Sequence, residues 1–539
     1  MISQLLKLFN NFDYLSLIGI ILTIYVARYY YKYFTRVNPL PGPFPFPLVG
    51  NLPQVIWHSG NLKKFFEYNH KNYGDIFEVQ LESRLIILNK SEYIEKILSA
   101  STKNPYIKRI ADSNTQGPQE LGVFGKGIIL NQDYQSWRYN RHFFTQAILS
   151  PKFAQEATHW TNELFNELEG YWDKLYLKKE TTKENKKQLD FSTWFNQFTN
   201  DMIFKILTGE RSYTMAGYFN TLSDNEKAER PEAIIDETVK LVDAIRKQVL
   251  GLLFFQFVSP FLRHYVPFFK GKSDELLQNA KFLIQRMESI IKRRRQEIEN
   301  TPLDKPLPND MLTSVIIANT TRDVNGNETM RPMTDTEIRG IMLDGISAGT
   351  DTTANLISFI VYYLAHNPDV KKKMLDEIDG IFQGDKTRPI TENDFNNLKY
   401  CKAIVNEVAR IYPVVNSFAR CLERPEEIAG YQWPADTMIR INIDAIHSNG
   451  DYWEEYDKFN PDRWMAEGFE PKKHSFVMFG GGLRVCPGRK LAIVELVCLM
   501  ALLYRKYEIN LVDMESSLKT KSTLITACTE LLVEIKLRD

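Results

Sequence analysis

A chain of 539 residues with 44% hydrophobic and 25% charged residues can bury a large core, and its composition matches neither a disordered nor a fibrous protein. Lys plus Arg and Asp plus Glu number 67 each, so no global positive excess recruits nucleic acid, which is not expected as a partner. The five cysteines, Cys401, Cys421, Cys486, Cys498 and Cys528, are too few and too irregularly spaced for a disulfide-stapled secreted domain, and they suit a reducing compartment.

After a short N-terminal segment, 1–13, the run "YLSLIGIILTIYVA" from Tyr14 to Ala27 is apolar apart from its hydroxyls. Tyr29 to Tyr31, Tyr33 and Phe34 extend it as an interfacial belt in which Arg28 and Lys32 can snorkel, so 14–34 reads as one tilted transmembrane anchor. A cleaved signal peptide would need a small-x-small site, and an interfacial helix a less continuous apolar surface. Positive charge lies mainly after the segment, at Arg28, Lys32 and Arg36, against Lys7 and Asp13 before it, which puts the large domain in the cytosol. The sequons at Asn319 and Asn327 would then carry no glycan. Alternating prolines in "PLPGPFPFPLVGN", Pro39 to Asn51, make 35–51 a stiff hinge ahead of one large domain, 52–539.

The segment Asp75 to Leu88 reads as a β-hairpin turning near Glu82 to Arg84. Helical periodicity runs from about Trp137 to Leu222, broken by the charged stretch Tyr176 to Asp190, and resumes over Glu232 to Gln248 and Asp274 to Glu299. Between the last two, Leu252 to Phe269 holds six phenylalanines, a density that fits core packing, a membrane contact or a lid over an apolar pocket. The polar linker Asn319 to Met333 ends at a capping box, Thr334 with Glu337, which opens a pattern free of interior proline to about His366. Roughly 32 residues span ~48 Å, enough to cross a domain's interior.

The middle of that helix, "DGISAGTDTTANLISF", is unfavourable: glycine costs ~1 kcal/mol against alanine, and threonine loses rotamer freedom. Gly345 and Gly349 would clear space for a flat ligand, while a threonine hydroxyl bonded to the i−4 carbonyl would bend the helix beside Asp351. Further on, Glu407 and Arg410 share a helix face at i,i+3, and Arg463 in "NPDRW" offers a third member of a buried network. In "FVMFGGGLRVCPGRK", Phe476 to Lys490, a lone thiol sits among glycines just ahead of a helix start. That suits a metal held by one soft axial ligand, with the other ligands supplied by a macrocycle. The alternative, a cysteine nucleophile with a histidine base, lacks support, because none of the eight histidines is tied to Cys486 by sequence.

Phe479, Gly482, Arg484, Cys486 and Gly488 match the F-x-x-G-x-R-x-C-x-G segment, and the chain thereby resembles the cytochrome P450 family of haem-thiolate monooxygenases. Trp137 with Arg141, the run Ala348 to Thr353, and Glu407 with Arg410 followed by Pro461 to Trp464 occur in the family's order. The resemblance covers about Pro39 to Asp539, and the anchor with its proline hinge looks like the eukaryotic microsomal branch. It implies a mainly α fold with small β-sheets, haem b (iron protoporphyrin IX) lying between a long central helix and a proximal cysteine loop. Residues 52–539 would form the haem-binding catalytic domain.

By that resemblance Cys486 is the iron ligand, and Trp137, Arg141 and Arg484 meet the propionates with help from Arg138 or His142. Phe479 packs near the thiolate, Ala348 and Gly349 leave room for O2, and Thr352 and Asp351 are the alcohol and acid that deliver protons. Glu407, Arg410 and Arg463 form the structural network. Met478, Leu483, Ser448 and Asn449 depart from commoner family residues. The implied reaction inserts one atom of O2 into a lipophilic sterol, fatty acid, terpenoid or foreign compound. Its electrons come from NADPH through NADPH-cytochrome P450 reductase, with cytochrome b5 as a further donor and a basic patch of Arg141, Lys402, Arg489 and Lys490 as docking site. The implied location is the endoplasmic reticulum membrane, single-pass with a cytosolic catalytic domain. By analogy the pocket draws on Ile107 to Ile129, the stretch ending at Phe269, Ile341 to Ala348, Val414 to Phe418, and Ile525 to Thr526. Two other functions use the same cysteine loop: a reductase-independent hydroperoxide isomerase or peroxygenase, and non-enzymatic haem binding.

Overall fold

The structure is a computed structural model that describes residues 14–81, 83–99, 106–148, 151–177, 188–223, 227–228, 235–322 and 331–538. Most of the charged stretch 176–190 and the Asn327 sequon lie outside those residues. Helices that position the site are α1 (Tyr14–Phe34), α2 (Tyr134–Ile148), α3 (Pro151–Trp172), α4 (Phe191–Thr208), α5 (Ile235–Phe257), α6 (Pro267–Asn300), α7 (Met311–Ile317), α8 (Asp335–His366), α9 (Lys399–Ile411) and α10 (Arg489–Lys506). The strands are β1 (Ile76–Gln80), β2 (Arg84–Leu88), β3 (Leu189–Asp190), β4 (Ser417–Cys421), β5 (Glu426–Ile428), β6 (Tyr431–Trp433), β7 (Met438–Asn442), β8 (Tyr507–Leu511), β9 (Lys519–Ser522), β10 (Thr526–Glu530) and β11 (Leu532–Leu537).

Helices dominate and the sheets are small. The largest has the order β1-β2-β7-β4, in which β2 and β7 run parallel and the other pairs antiparallel. The rest are β3-β11-β8, β9-β10 and β5-β6. The helical core centres on α8, whose 32 residues start at the capping box: the Thr334 hydroxyl accepts from the Glu337 amide, and the Glu337 carboxylate accepts from the Thr334 amide at 2.9 Å. Buried apolar residues of α8, α4, α3 and α10 pack into one continuous cluster.

The unfavourable middle of α8 has a packing cause. A Cβ on Gly345 would lie 2.7 Å from Leu207 Cδ1, and one on Gly349 would lie 2.7 Å from Ile203 Cγ1. These glycines let α4 approach the α8 backbone, so the missing side chains serve a helix–helix contact. The threonines are bonded accordingly. Thr350 Oγ1 donates to the Ile346 carbonyl at 2.9 Å, while Thr199 Oγ1 of α4 donates to the Thr350 carbonyl at 2.7 Å.

The aromatic stretch differs from its sequence reading in its boundaries. α5 continues to Phe257 rather than stopping at Gln248, and α6 begins at Pro267 rather than Asp274, with a short helix, Pro260–Tyr265, between them. Continuous apolar residues had hidden the helical period there. Phe255 is buried, whereas Phe261 and Phe268 are 61% and 81% exposed. α1 has 21 residues, none buried, and at 1.5 Å per residue spans ~31 Å, the thickness of a bilayer's hydrocarbon core.

Candidate active site

The cysteine loop is shaped by its glycines. Gly480 and Gly482 adopt φ of 70° and 65°, in the left-handed region that a side chain disfavours, and the Cys486 amide donates to the Phe479 carbonyl at 2.9 Å to close the loop. Cys486 then lies just ahead of α10, whose first residue is Arg489. The thiol lines a cavity of about 350 Å³ together with Met478, Phe479 and Gly480. Burial pushes its pKa up, while the Gly488 backbone amide and the charges of Arg141, Arg109 and Arg489 pull it down.

α8 forms another wall of the same cavity. Asp344, Ala348 and Thr352, spaced one turn apart on one face, all line it, with Gly345, Gly349, Thr353 and Leu356 beside them. Thr352 Oγ1 donates to the Ala348 carbonyl at 2.7 Å, so the hydroxyl is held at the helix surface. Asp351 is not among the lining residues. It turns toward α5, where Arg246 Nε lies 3.6 Å from its carboxylate. Burial raises the Asp351 pKa and Arg246 works against that.

A cluster of arginines occupies a third side. Arg141 donates to the Val485 carbonyl at 2.6 Å, and burial pulls its pKa down to about 10. Arg484 lies 4.7 Å from the Trp137 ring and donates to the carbonyls of Ile107, Ile128 and Asn131, which ties the cysteine loop to the segment before α2. Arg109, which lies in the expected pocket segment Ile107 to Ile129 but was given no role of its own, and Arg420, which the sequence reading missed, complete the set. Facing them, Asp344 accepts from the Ile128 and Ile129 amides at 2.6 and 2.7 Å, and burial pushes its pKa up to about 6. Glu495 of α10 is buried, with its pKa raised well above the carboxylate range.

Trp137 Nε1, Arg109 Nε and Arg420 Nε are buried donors with no acceptor among the described residues, and all three residues line the cavity. Four arginines against one neutralised acid and Asp344 leave an excess of buried positive charge and unmet donors. A flat group with two anionic substituents and a metal that takes a thiolate satisfies both demands, so the residues present fit a haem. Among the described residues no cluster of three or more His, Cys, Asp or Glu could hold a metal by itself. The expected docking residue Arg141 lines the cavity, and Lys490 is exposed.

Beyond the cavity, Glu407 is buried at the centre of a network. Arg410 reaches it at 2.7 Å, Arg463 at 3.2 Å and Trp464 Nε1 at 2.8 Å. Arg410 also donates to the carbonyls of His447, Tyr456 and Lys458. Of the expected pocket segments, Arg109, Ile128 and Ile129, then Asp344, Gly345 and Ala348, and then Val414, Val415 and Phe418 line the cavity. Phe269 instead lines a separate small cavity, and Ile525 pairs behind Val415.

The sequence model of the family described as Cytochrome P450 matches residues 40–536. Among curated proteins, the chain is 26% identical to Cytochrome P450 3A14 of Cavia porcellus, covering 89% of this chain and 87% of that one. It is 23% identical to a (+)-vincadifformine 19-hydroxylase of Catharanthus roseus, over 94% and 93% of the two chains. It is 25% identical to the mitochondrial 1,25-dihydroxyvitamin D(3) 24-hydroxylase of Mus musculus, over 89% and 85%. The fold resembles that of the solved cytochrome P450DA heme domain, with TM-score 0.73, 18% identity, and 94% of this chain and 99% of that chain covered. With a matched segment that runs from the hinge to the last strand, a fold of the same kind, and a cavity built for a haem against one cysteine, this chain belongs to the cytochrome P450 family and is a haem-thiolate monooxygenase.

Proposed function

We propose that the protein inserts one oxygen atom of O2 into a lipophilic substrate delivered from a membrane, with electrons from NADPH passed through a separate reductase. The observation that carries this reading is one cavity lined by Cys486, by the Ala348–Thr352 face of α8, and by arginines with buried unmet donors. Haem b, when bound, supplies the activation of O2.

The chain's residues have distinct tasks in this reading. Cys486 would hold the haem iron through its thiolate, whose negative charge is favoured by Arg141, Arg109 and the Gly488 amide. Arg109, Arg141, Arg420 and Trp137 would hold the two propionates, and Arg484 holds the wall behind them through three backbone carbonyls. Phe479 packs beside the thiolate, and Ala348 and Gly349 border the space for O2. Thr352 presents a hydroxyl to that space, and Asp351, outside it, exchanges protons with solvent on the α5 side. Glu407, Arg410 and Arg463 fix the proximal side.

The apolar lining, with Ile128, Phe144, Ile203, Leu207, Val414 and Phe418, supports a lipophilic substrate. Relatives named for (+)-vincadifformine and for 1,25-dihydroxyvitamin D(3) stand at similar identity, so neither name is transferred. The apolar α1 and the prolines that follow it support a single-pass anchor in the endoplasmic reticulum, with the catalytic domain in the cytosol as in the microsomal branch. NADPH-cytochrome P450 reductase, and cytochrome b5 beside it, would dock near Lys402, Arg489 and Lys490.

Incubation of the anchored protein with reductase, NADPH and membrane lipid extract under isotopically labelled O2 tests this. A product that gains one labelled oxygen only when reductase is present is the expected result. Turnover of a lipid hydroperoxide without reductase, and no labelled product with it, would replace this reading by the isomerase one. Cys486→Ser is expected to abolish the thiolate band of the reduced protein with carbon monoxide, and an unchanged band would overturn the ligand assignment.

A further inference from the structure

A second cavity lies across two of the helices that wall the first. α2 turns Trp137, Arg141, Phe144 and Ile148 to the cysteine cavity, and Phe143, Gln146 and Ala147 to the other. α4 does the same, with Ile203 and Leu207 on one side and Lys205, Ile206 and Gly209 on the other. These spacings are those of opposite helix faces. α3 and the segment 308–318, which contains α7, contribute the remaining walls of this second space, about 440 Å³, which is within the range of small-molecule sites.

Its cationic residue is Lys205, which shares the lining with the carboxylates of Glu156 and Asp310. The ammonium lies 4.6 Å from the Trp160 ring centroid and donates to the Gly209 carbonyl at 2.7 Å, which uses one of its three donors. Nearby carboxylates have other partners: Glu156 accepts from Trp160 Nε1 at 3.1 Å, and Asp310 is bonded by Arg294 at 2.8 Å and by the Thr313 amide at 2.7 Å. Burial, with the charges of Arg211 and Arg294, lowers the Lys205 pKa against the opposing charges of Asp310 and Glu156. Phe143, Trp160, Ile206 and Met311 form the apolar part of a lining that also carries Gln146, Asn309 and Ser314.

We propose that this space is a second ligand site, which takes a compact aromatic carboxylate with its anion on Lys205 and its ring against Trp160 and Phe143. Occupancy is felt in the haem cavity, because α4 cannot yield independently of α8. A hypothetical Cβ on Gly345 or Gly349 would already lie 2.7 Å from Leu207 or Ile203, both of which line the first cavity, and close-packed contacts of that kind transmit small displacements.

The test uses the haem-loaded full chain and 2-naphthoate as probe. Clotrimazole first saturates the iron side, and its nitrogen-bound spectrum shows whether the haem site is intact independently of the second site. Equilibrium dialysis then measures naphthoate binding to the saturated protein. One bound equivalent is expected, weakened about tenfold or more in Lys205→Met by loss of a charge-assisted hydrogen bond. Ala147→Phe, which fills the space from α2 without touching Lys205, is expected to abolish binding while leaving the clotrimazole spectrum unchanged. Naphthoate should also shift the clotrimazole dissociation constant of the unsubstituted protein by about fivefold or more. No naphthoate binding to the saturated protein, or binding that survives both substitutions, overturns the site; binding that leaves clotrimazole affinity unchanged overturns the communication.

Discussion

Thr352 and Asp351 are adjacent in sequence and face different surroundings, one the cavity and the other Arg246. The Asp351–Arg246 separation of 3.6 Å is an ion pair beyond good hydrogen-bond reach, and Arg246 is 43% exposed, so the contact can open without a large cost. In Arg246→Leu, Asp351 loses the charge that holds its pKa down and stays protonated to higher pH. The acid limb of the ratio of product to NADPH consumed is therefore expected to move to higher pH, measured with peroxide release across a pH series. Thr352→Ala should instead raise peroxide release at every pH, because no titrating group changes; an unmoved limb in the arginine variant would separate Arg246 from the relay. Asp344 allows a stability test. Its folded pKa, raised to about 6, means that the protonated form favours folding: this contribution is complete below the ordinary carboxylate range and is lost as pH rises through about 6. Asp344→Asn keeps an oxygen for the Ile128 and Ile129 amides and does not titrate. Its thermal midpoint relative to the unsubstituted protein should therefore climb between about pH 4 and pH 7, and a flat difference would contradict the assignment.

At the scale of elements, the contact between α4 and α8 explains why a long helix tolerates a glycine- and threonine-rich centre. Gly349→Ala would force its methyl against Ile203, for which overpacking costs of ~1–3 kcal/mol are typical. Unfolding in denaturant should show that loss, and Ile203→Ala in the same chain should recover part of it, giving less than the sum of the two single changes. Additive effects would mean that the two side chains do not meet. The start and length of α8 were legible in sequence because a capping box and an uninterrupted pattern are local signals, and so was the cysteine loop, whose glycines and lone thiol sit within a few residues. The roles of Arg109 and Arg420 were not, since both residues reach the cavity only after a long loop and strand β4 are folded against the core. Asp344 left a readable trace, its one-turn spacing from Ala348 and Thr352, but its partners are amides of a segment more than 200 residues earlier, a pairing no local pattern encodes. The ends of α5 and α6 were obscured for another reason: where nearly every residue is apolar, no face stands out.

For the whole molecule, α1 and the aromatic stretch turn out to be neighbours. At the end of α1, Arg36 pairs with Glu78 of β1, which also accepts from Arg84 of β2 at 2.9 Å, and Tyr30 stacks on Phe44 at 5.3 Å between ring centroids. Tyr25 and Tyr29 of α1 share a cavity of about 150 Å³ with Phe257 and Phe269, so the residues between α5 and α6 lie beside α1. There Phe261, Tyr265 and Phe268 are 61%, 75% and 81% exposed, a grouping of large apolar side chains of the kind that marks a partner or membrane surface. If one bilayer receives both α1 and this group, then a chain lacking residues 1–34 should still float with phosphatidylcholine vesicles. Phe261→Asp together with Phe268→Asp in that shortened chain removes two aromatic insertions worth ~1.5–3 kcal/mol each, so partitioning should fall at least a hundredfold. High salt should leave the binding of the shortened chain intact, because its source is apolar burial rather than charge. Equal flotation of the shortened chain with and without the two aspartates would assign the exposed aromatics to something other than the membrane and leave α1 as the sole contact.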